Sequence, residues 1–218
     1  MKIKSLLSLL FIVAISSNIF ANEKEEKALL SAAYSGDIGQ IEYLIQKGIS
    51  PNIVDIEGNT PLHYAASQNR DEAIHLLIKH GAKLDVQNSS ENSPLSIAAT
   101  QNHFESVDVL LTAGANPNLQ RSDNTSVLHS AASKGNFRSL VSLIVFGADV
   151  NKESSTGVTP LMLAAGQANM DIAKVLLENG AVNSVDKNGN DVLTWARESN
   201  NSEMIDLILS YTSISQAK

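Results

Sequence analysis

The stretch Thr60-Pro61-Leu62-His63-Tyr64-Ala65-Ala66 decides the fold. Thr60 is a good helix N-cap, and Pro61 falls at the first helical position, where its missing N–H costs nothing and its fixed φ suits the helix. A helix is therefore expected to run to about Gln68, with Ala65-Ala66 leaving one face free of bulk so that a neighbour can approach closely. A second helix is expected from about Asp71 to His80, because Ile74, Leu77 and Ile78 share one apolar face and Gly81 supplies a left-handed C-terminal cap. Turn formers such as Asp55, Gly58, Asn88 and Gly157 then bring the chain out and back in short extended segments.

This unit recurs. Gly48, Gly81, Gly114, Gly147 and Gly180 are each 33 residues apart, as are Leu29, Leu62, Leu95, Leu128 and Leu161. The alanine pairs 32-33, 65-66, 98-99, 131-132 and 164-165 keep the same step. The last step, Leu161 to Leu193, is 32, and aligning Asp186-Lys187-Asn188-Gly189-Asn190 with Asp55-Ile56-Glu57-Gly58-Asn59 places the missing residue in a loop, where a deletion does least harm. Six units follow, over 23–59, 60–92, 93–125, 126–158, 159–190 and 191–213, the first and last acting as caps of one domain covering 22–218.

Residues 1–21 read differently. Lys2 and Lys4 precede an apolar run from Leu6 to Ile15 and a more polar stretch ending at Ala21, the layout of a secretory signal cut after Ala21. The run is about half of the ~20 residues needed to span a bilayer, so no membrane span is expected once the signal is removed. With 43% hydrophobic and 18% charged residues the chain is composed like a folded globular protein. Its formal charge of -7 becomes -9 beyond residue 21, which argues against a nucleic-acid partner. The absence of cysteine excludes disulfides, thiolate metal sites and a cysteine nucleophile.

The motif at Thr60–Ala66, with Leu76-Leu77-Ile78-Lys79-His80-Gly81-Ala82 after it, resembles the ankyrin repeat family, as do Thr159-Pro160-Leu161-Met162-Leu163-Ala164-Ala165 and Gly147-Ala148-Asp149-Val150-Asn151. The departures are local: Ser93 and Ser126 replace the threonine, Val127 and Val192 the proline, and Arg197 the second alanine of the last unit. Arg197 with Glu198 at one end, and the charged run Glu23 to Lys27 at the other, suit terminal units that meet water. The resemblance implies an all-α solenoid of stacked helix-turn-helix units with projecting turns. It also implies protein binding on the concave side made by the turns and the first helices.

No catalytic or metal motif stands out. His63 and His129 share one repeat position, where the resemblance implies an imidazole bonded to backbone near the turn; His75 and His80 are five apart, unlike a helical metal pair. The run from Asp186 to Asp191 resembles a calcium loop only in part, since Asp191 stands where glycine is needed and Arg197 where a bidentate glutamate is needed. It is taken as a turn. Trp195 lies in a largely apolar row with Tyr64, Ile97, Ser130 and Leu163, and is expected to be core. No cofactor, metal or enzymatic activity is expected.

The candidate partner-binding residues are those that vary between units. On the turns they are Ile56, Glu57 and Asn59; Ser89, Ser90 and Asn92; Ser122, Asp123 and Thr125; Ser155, Thr156 and Val158; and Lys187, Asn188 and Asn190. On the first helices Gln68, Gln101, Lys134 and Gln167 form a ladder. Val145 and Phe146 are a possible apolar patch, since the equivalent residues are mostly polar or small; an irregularly buried pair is the alternative. Asn88, Asn124 and Asn200 each fit the N-glycosylation pattern, and a glycan at either of the first two would block the turns. The expectation is a monomeric, exported protein-binding module in the bacterial periplasm. It would inhibit, mask or stabilise a partner such as a cell-envelope enzyme, as an immunity protein would, or alternatively scaffold two proteins.

Overall fold

The computed structural model describes residues 22–216, so the export segment read over 1–21 lies outside the described residues. Within them the chain is a succession of helix pairs: α1 (22–35) and α2 (Ile38–Gln46), α3 (Pro61–Ser67) and α4 (Asp71–Lys79), α5 (Pro94–Thr100) and α6 (Phe104–Thr112). There follow α7 (Val127–Lys134) and α8 (Phe137–Val145), α9 (Pro160–Gly166) and α10 (Met170–Glu178), and α11 (Val192–Glu198) and α12 (Ser202–Gln216). Among the described residues there is no strand; single bridges join Gln120 to Ser126 and Val185 to Asp191. The architecture is an all-α repeat solenoid.

Two layers of helices result. In one, α3, α5, α7, α9 and α11 pack each on the next; in the other, α2, α4, α6, α8, α10 and α12 do the same. The alanine pairs permit this stacking: Ala65-Ala66, Ala98-Ala99, Ala131-Ala132 and Ala164-Ala165 are fully buried. Between the layers lie Leu62, Leu95 and Leu128 of the first helices with Ile74, Leu77, Leu110, Leu140 and Leu143 of the second, all at 0% exposure. Each such side chain contributes about 1.5–3 kcal/mol by leaving water. A single unit has no second face to bury these groups against, so stability resides in the joints.

The start and stop signals act as sequence reading expects. The Thr60 hydroxyl accepts from the His63 N–H at 3.4 Å, and the Ser93, Thr159 and Asp191 side chains cap α5, α9 and α11 in the same way. Gly81 follows the C-cap His80 at φ +87°, a conformation that favours glycine. Between paired helices one residue is also left-handed: Gly36, Asn69, Asn102, Gly135, Ala168 and Asn200.

Polar bonds also cross each joint. The Asn52 amide donates to the Gly81 carbonyl at 2.9 Å and accepts from the Lys83 N–H at 2.7 Å. Asn118 does the same with Gly147 and Asp149, and Asn151 with Gly180 and Val182. Each of these asparagines bonds the left-handed glycine just past the C-cap of the following unit's second helix and so ties consecutive loops together.

Candidate protein-binding surface

The turns that precede α3, α5, α7, α9 and α11 share one construction. Asp55 N–H donates to the Asn59 carbonyl at 3.1 Å, and Gly58 N–H donates back to the Asp55 carbonyl at 3.1 Å. The same pair of bonds closes Asn88 to Asn92, Arg121 to Thr125, Ser154 to Val158 and Asp186 to Asn190. The fourth residue needs a positive φ, met by Gly58, Glu91, Asn124, Gly157 and Gly189. At Gly157 a side chain would also collide with the next turn, since a Cβ there would lie 3.1 Å from the Asp186 Cα.

This geometry divides the sequence-derived candidates. Ile56, Glu57, Ser89, Ser90, Ser122, Asp123, Ser155, Thr156, Lys187 and Asn188 occupy the two tip positions and are exposed. Asn59, Asn92, Thr125, Val158 and Asn190 occupy the fifth position, are partly buried, and hold the turn together. The Asn59 amide donates to Asp55 and accepts from the Asn88 amide at 2.7 Å; the Asn190 amide donates to Asp186. Successive tips are tied in turn, Ser89 N–H to the Glu57 carbonyl, Ser155 N–H to Asp123 and Lys187 N–H to Thr156. Between the second and third units the link runs through side chains: Glu91 accepts from the Ser122 N–H at 2.7 Å and Arg121 donates to the Ser90 carbonyl at 2.9 Å.

On the first helices, Gln68, Gln101 and Gln167 are C-cap residues and Lys134 ends α7; all are exposed except the partly buried Gln68. Val145 and Phe146, at the end of α8 in the second-helix layer, are 75% and 44% exposed. They do not adjoin the turn tips in sequence or layer.

Two aromatic side chains on this surface escaped sequence reading as site residues. Tyr64 donates its hydroxyl to Asp55 Oδ2 at 2.7 Å, and its ring meets Tyr34 edge to face, 6.2 Å between centroids. Trp195 repeats the arrangement one 32-residue and three 33-residue steps later: its indole N–H donates to Asp186 Oδ2 at 3.2 Å and its ring covers Gly166. It is partly buried and packs against the core as expected, with its indole N–H turned to the buried Asp186. The available signal was the pairing of an aromatic residue with an aspartate nine positions earlier, present in the second and last units only.

Electrostatics follow from these bonds. Burial pushes the Asp55 carboxyl up, but the Tyr64 hydroxyl and the donors of Asn59 and Glu57 outweigh it and leave the group below its ordinary value. The bond to Asp55 raises the Tyr64 phenol to about 12. Asp186 is lowered chiefly by the Asn190 N–H. Its carboxylate is engaged by Asn188, Asn190 and Trp195, so the loop that looked partly like a calcium site spends its oxygens on the turn.

His63 and His129 are structural in geometry. His63 Nδ1 accepts from the Thr60 N–H at 3.1 Å, which leaves Nε2 to donate to the Asn92 carbonyl of the next turn at 2.9 Å. His129 does likewise between Ser126 and the Val158 carbonyl. Both rings are thereby held neutral, and burial lowers both below their ordinary value. Among the described residues no group of three or more histidine and acidic side chains could hold a metal ion.

A stack of paired short helices, with backbone-closed turns projecting along one edge, defines a repeat protein of the interaction-module class. The chain belongs to the ankyrin repeat family: it matches the family described as ankyrin repeats (three copies) over residues 4–88, 29–121 and 128–217. It is also similar to ankyrin repeat domain-containing protein 39 of Bos taurus, 49% identical over 41 residues, and to that of Homo sapiens, 46% identical over 41 residues. Each match covers 19% of this chain, and the chain spans 22% of the length of these relatives. Ankyrin repeats are in general protein–protein interaction modules, and typically not enzymes.

Proposed function

We propose that the protein is an exported, non-enzymatic binding module. It would seize a partner protein with its turn tips and first helices and thereby inhibit, mask or stabilise it in the periplasm. The observation that carries this reading is the row of exposed tip side chains from Ile56 and Glu57 to Lys187 and Asn188, each mounted on a turn closed by its own backbone bonds. Side chains that vary from unit to unit on a rigid frame lose little conformational entropy when they bind, which favours recognition. Export rests on the layout of residues 1–21. An enzyme of the cell envelope is the kind of partner that calls for restraint there.

Val145 and Phe146, exposed in the other helix layer, favour a second reading, a scaffold that holds two proteins at once. Pull-down from periplasmic extract separates the two. One stoichiometric partner whose activity falls on binding supports the inhibitor; several partners, with one set lost on Phe146→Ser, support the scaffold. Ser90→Arg with Asp123→Arg should weaken the inhibitory partner's binding without unfolding the stack, and unchanged affinity would remove the turn tips from the reading. Fractionation with N-terminal sequencing tests export: a mature chain beginning at Asn22 is expected, and a cytoplasmic chain beginning at Met1 defeats it. Intact mass should show no glycan at Asn88 or Asn124, since a glycan at either would block the turn tips; the Asn88 amide nitrogen is moreover bonded to Asn59 of the preceding turn.

A further inference from the structure

The first joint of the stack differs from all the others. Between α1 and α3 lies an open groove of about 460 Å³ lined by Lys27, Leu30, Ser31, Tyr34, Asp55 and Tyr64, within the size range of small-ligand and side-chain pockets. The residues equivalent to Tyr34 in later units are Ser67, Thr100, Ser133, Gly166 and Glu198, so no later joint has an aromatic pair. Tyr34 is 48% exposed, and Tyr64 is held in place by its bond to Asp55.

The charge of this groove is one-sided. Asp55 is one of its walls, and Glu57 lies close enough to act on the Tyr64 hydroxyl. Neither carboxylate takes part in an ion pair among the described residues, while the one cation on the wall, Lys27, is held 2.7 Å from Glu23 Oε1. Asp55 already accepts four hydrogen bonds, from the Glu57 and Asn59 N–H groups, the Asn59 amide and the Tyr64 hydroxyl. It therefore acts on an incoming group as a fixed negative charge. Tyrosine faces next to an uncompensated carboxylate attract cations, and an aliphatic stem can lie along apolar walls while its charged head stays at the rim.

We propose that the Tyr34–Tyr64 groove is an anchor subsite for a lysine or arginine side chain on an exposed segment of the partner protein. Its stem lies against Leu30 and the two rings, and its charged end faces Asp55 and Glu57. This inference rests on the reading that the turn and first-helix surface binds a protein, and it gives that partner a basic anchor.

The test is selection of a displayed random-peptide library on the purified protein, followed by titration of one selected synthetic peptide at two salt concentrations. Selected peptides should be enriched in Lys or Arg beside an apolar residue. Affinity should fall about tenfold with Tyr34→Ala and with Glu57→Lys, and should weaken with salt, while circular dichroism shows both variants folded. Peptides that depend on Tyr34 but lack a basic residue would overturn the cationic anchor. Peptides indifferent to Tyr34→Ala but lost with Ser90→Arg and Asp123→Arg would overturn the groove and leave the binding surface standing. No binding peptide, together with no partner in the pull-down, would overturn both.

Discussion

The amide of Asn118 brackets Gly147 of the following unit, donating to its carbonyl at 2.9 Å and accepting from the Asp149 N–H at 2.8 Å. Asn52 and Asn151 form the same bracket, but the second unit has Asp85 at this position. A carboxylate has no N–H to donate, and Asp85 only accepts, from the Asn116 N–H at 3.0 Å. Asp85→Asn should restore the missing bond, to the Gly114 carbonyl, and stabilise the protein by about 0.5–1.5 kcal/mol. Urea denaturation of the variant checks this; an unchanged or lower midpoint would mean that the bracket contributes nothing.

Equivalent serines in α6 and α8 should respond to truncation with opposite sign. Ser106 Oγ lies 2.9 Å from Asn69 Oδ1 and 2.8 Å from Asp71 Oδ1, whereas Ser139 Oγ is buried without a partner. One of the two partners is missing one unit upstream, where Phe104 stands in place of Asp71, and Asn102, the counterpart of Asn69, makes no bond to Ser139. Ser139→Ala removes an unsatisfied hydroxyl and should stabilise by about 1 kcal/mol, while Ser106→Ala should cost about 1–3 kcal/mol. Thermal unfolding of both variants measures the difference.

These two positions show why part of the molecule was legible in the sequence and part was not. Thr60, Pro61 and Gly81 act within their own helix, so local pattern suffices to read them. Leu62 and Ala65-Ala66 are core because the period repeats them. The asparagine bracket, the Tyr64–Asp55 bond and the turn-holding role of Asn59 all act between segments, and a residue's variability from unit to unit does not distinguish a free tip from a turn member. Trp195 reads as core because its row is apolar, but its bond to Asp186 is visible only once the turn is folded back on the helix.

Ala168 is the one residue between paired helices that is left-handed, at φ +52°, without being glycine or asparagine. The Cβ of an ordinary residue in that conformation costs about 1–2 kcal/mol, and glycine returns part of this through its freer unfolded chain. Ala168→Gly should therefore stabilise by about 0.5–1 kcal/mol in chemical denaturation, whereas Gly135→Ala, at φ +75° and 3.0 Å from the Asn169 amide, should destabilise.

The last prediction concerns acid. His63 and His129 are held as neutral rings that bridge consecutive units, and burial, partly opposed by the bonds to the Asn92 and Val158 carbonyls, lowers both below the ordinary value of 6.5. The unfolded chain therefore binds more protons at these sites than the folded one as pH falls below that value. Their contribution is complete above about pH 6.5 and is lost progressively as pH falls toward their folded values. Asp123 and Asp191, lowered by the donors of Thr125 and Thr194, add a second loss, which begins only near their ordinary value of 3.8. Met162 occupies the equivalent position in the fifth unit and does not titrate, so His63→Met with His129→Met is the natural control. Urea midpoints measured between about pH 5 and pH 7.5 should fall with acid in the native protein and stay nearly level in the double variant, although the variant is less stable at neutral pH for want of its two carbonyl bonds. Equal slopes in the two proteins would show that the joints at Asn92 and Val158 do not sense the protonation of these rings.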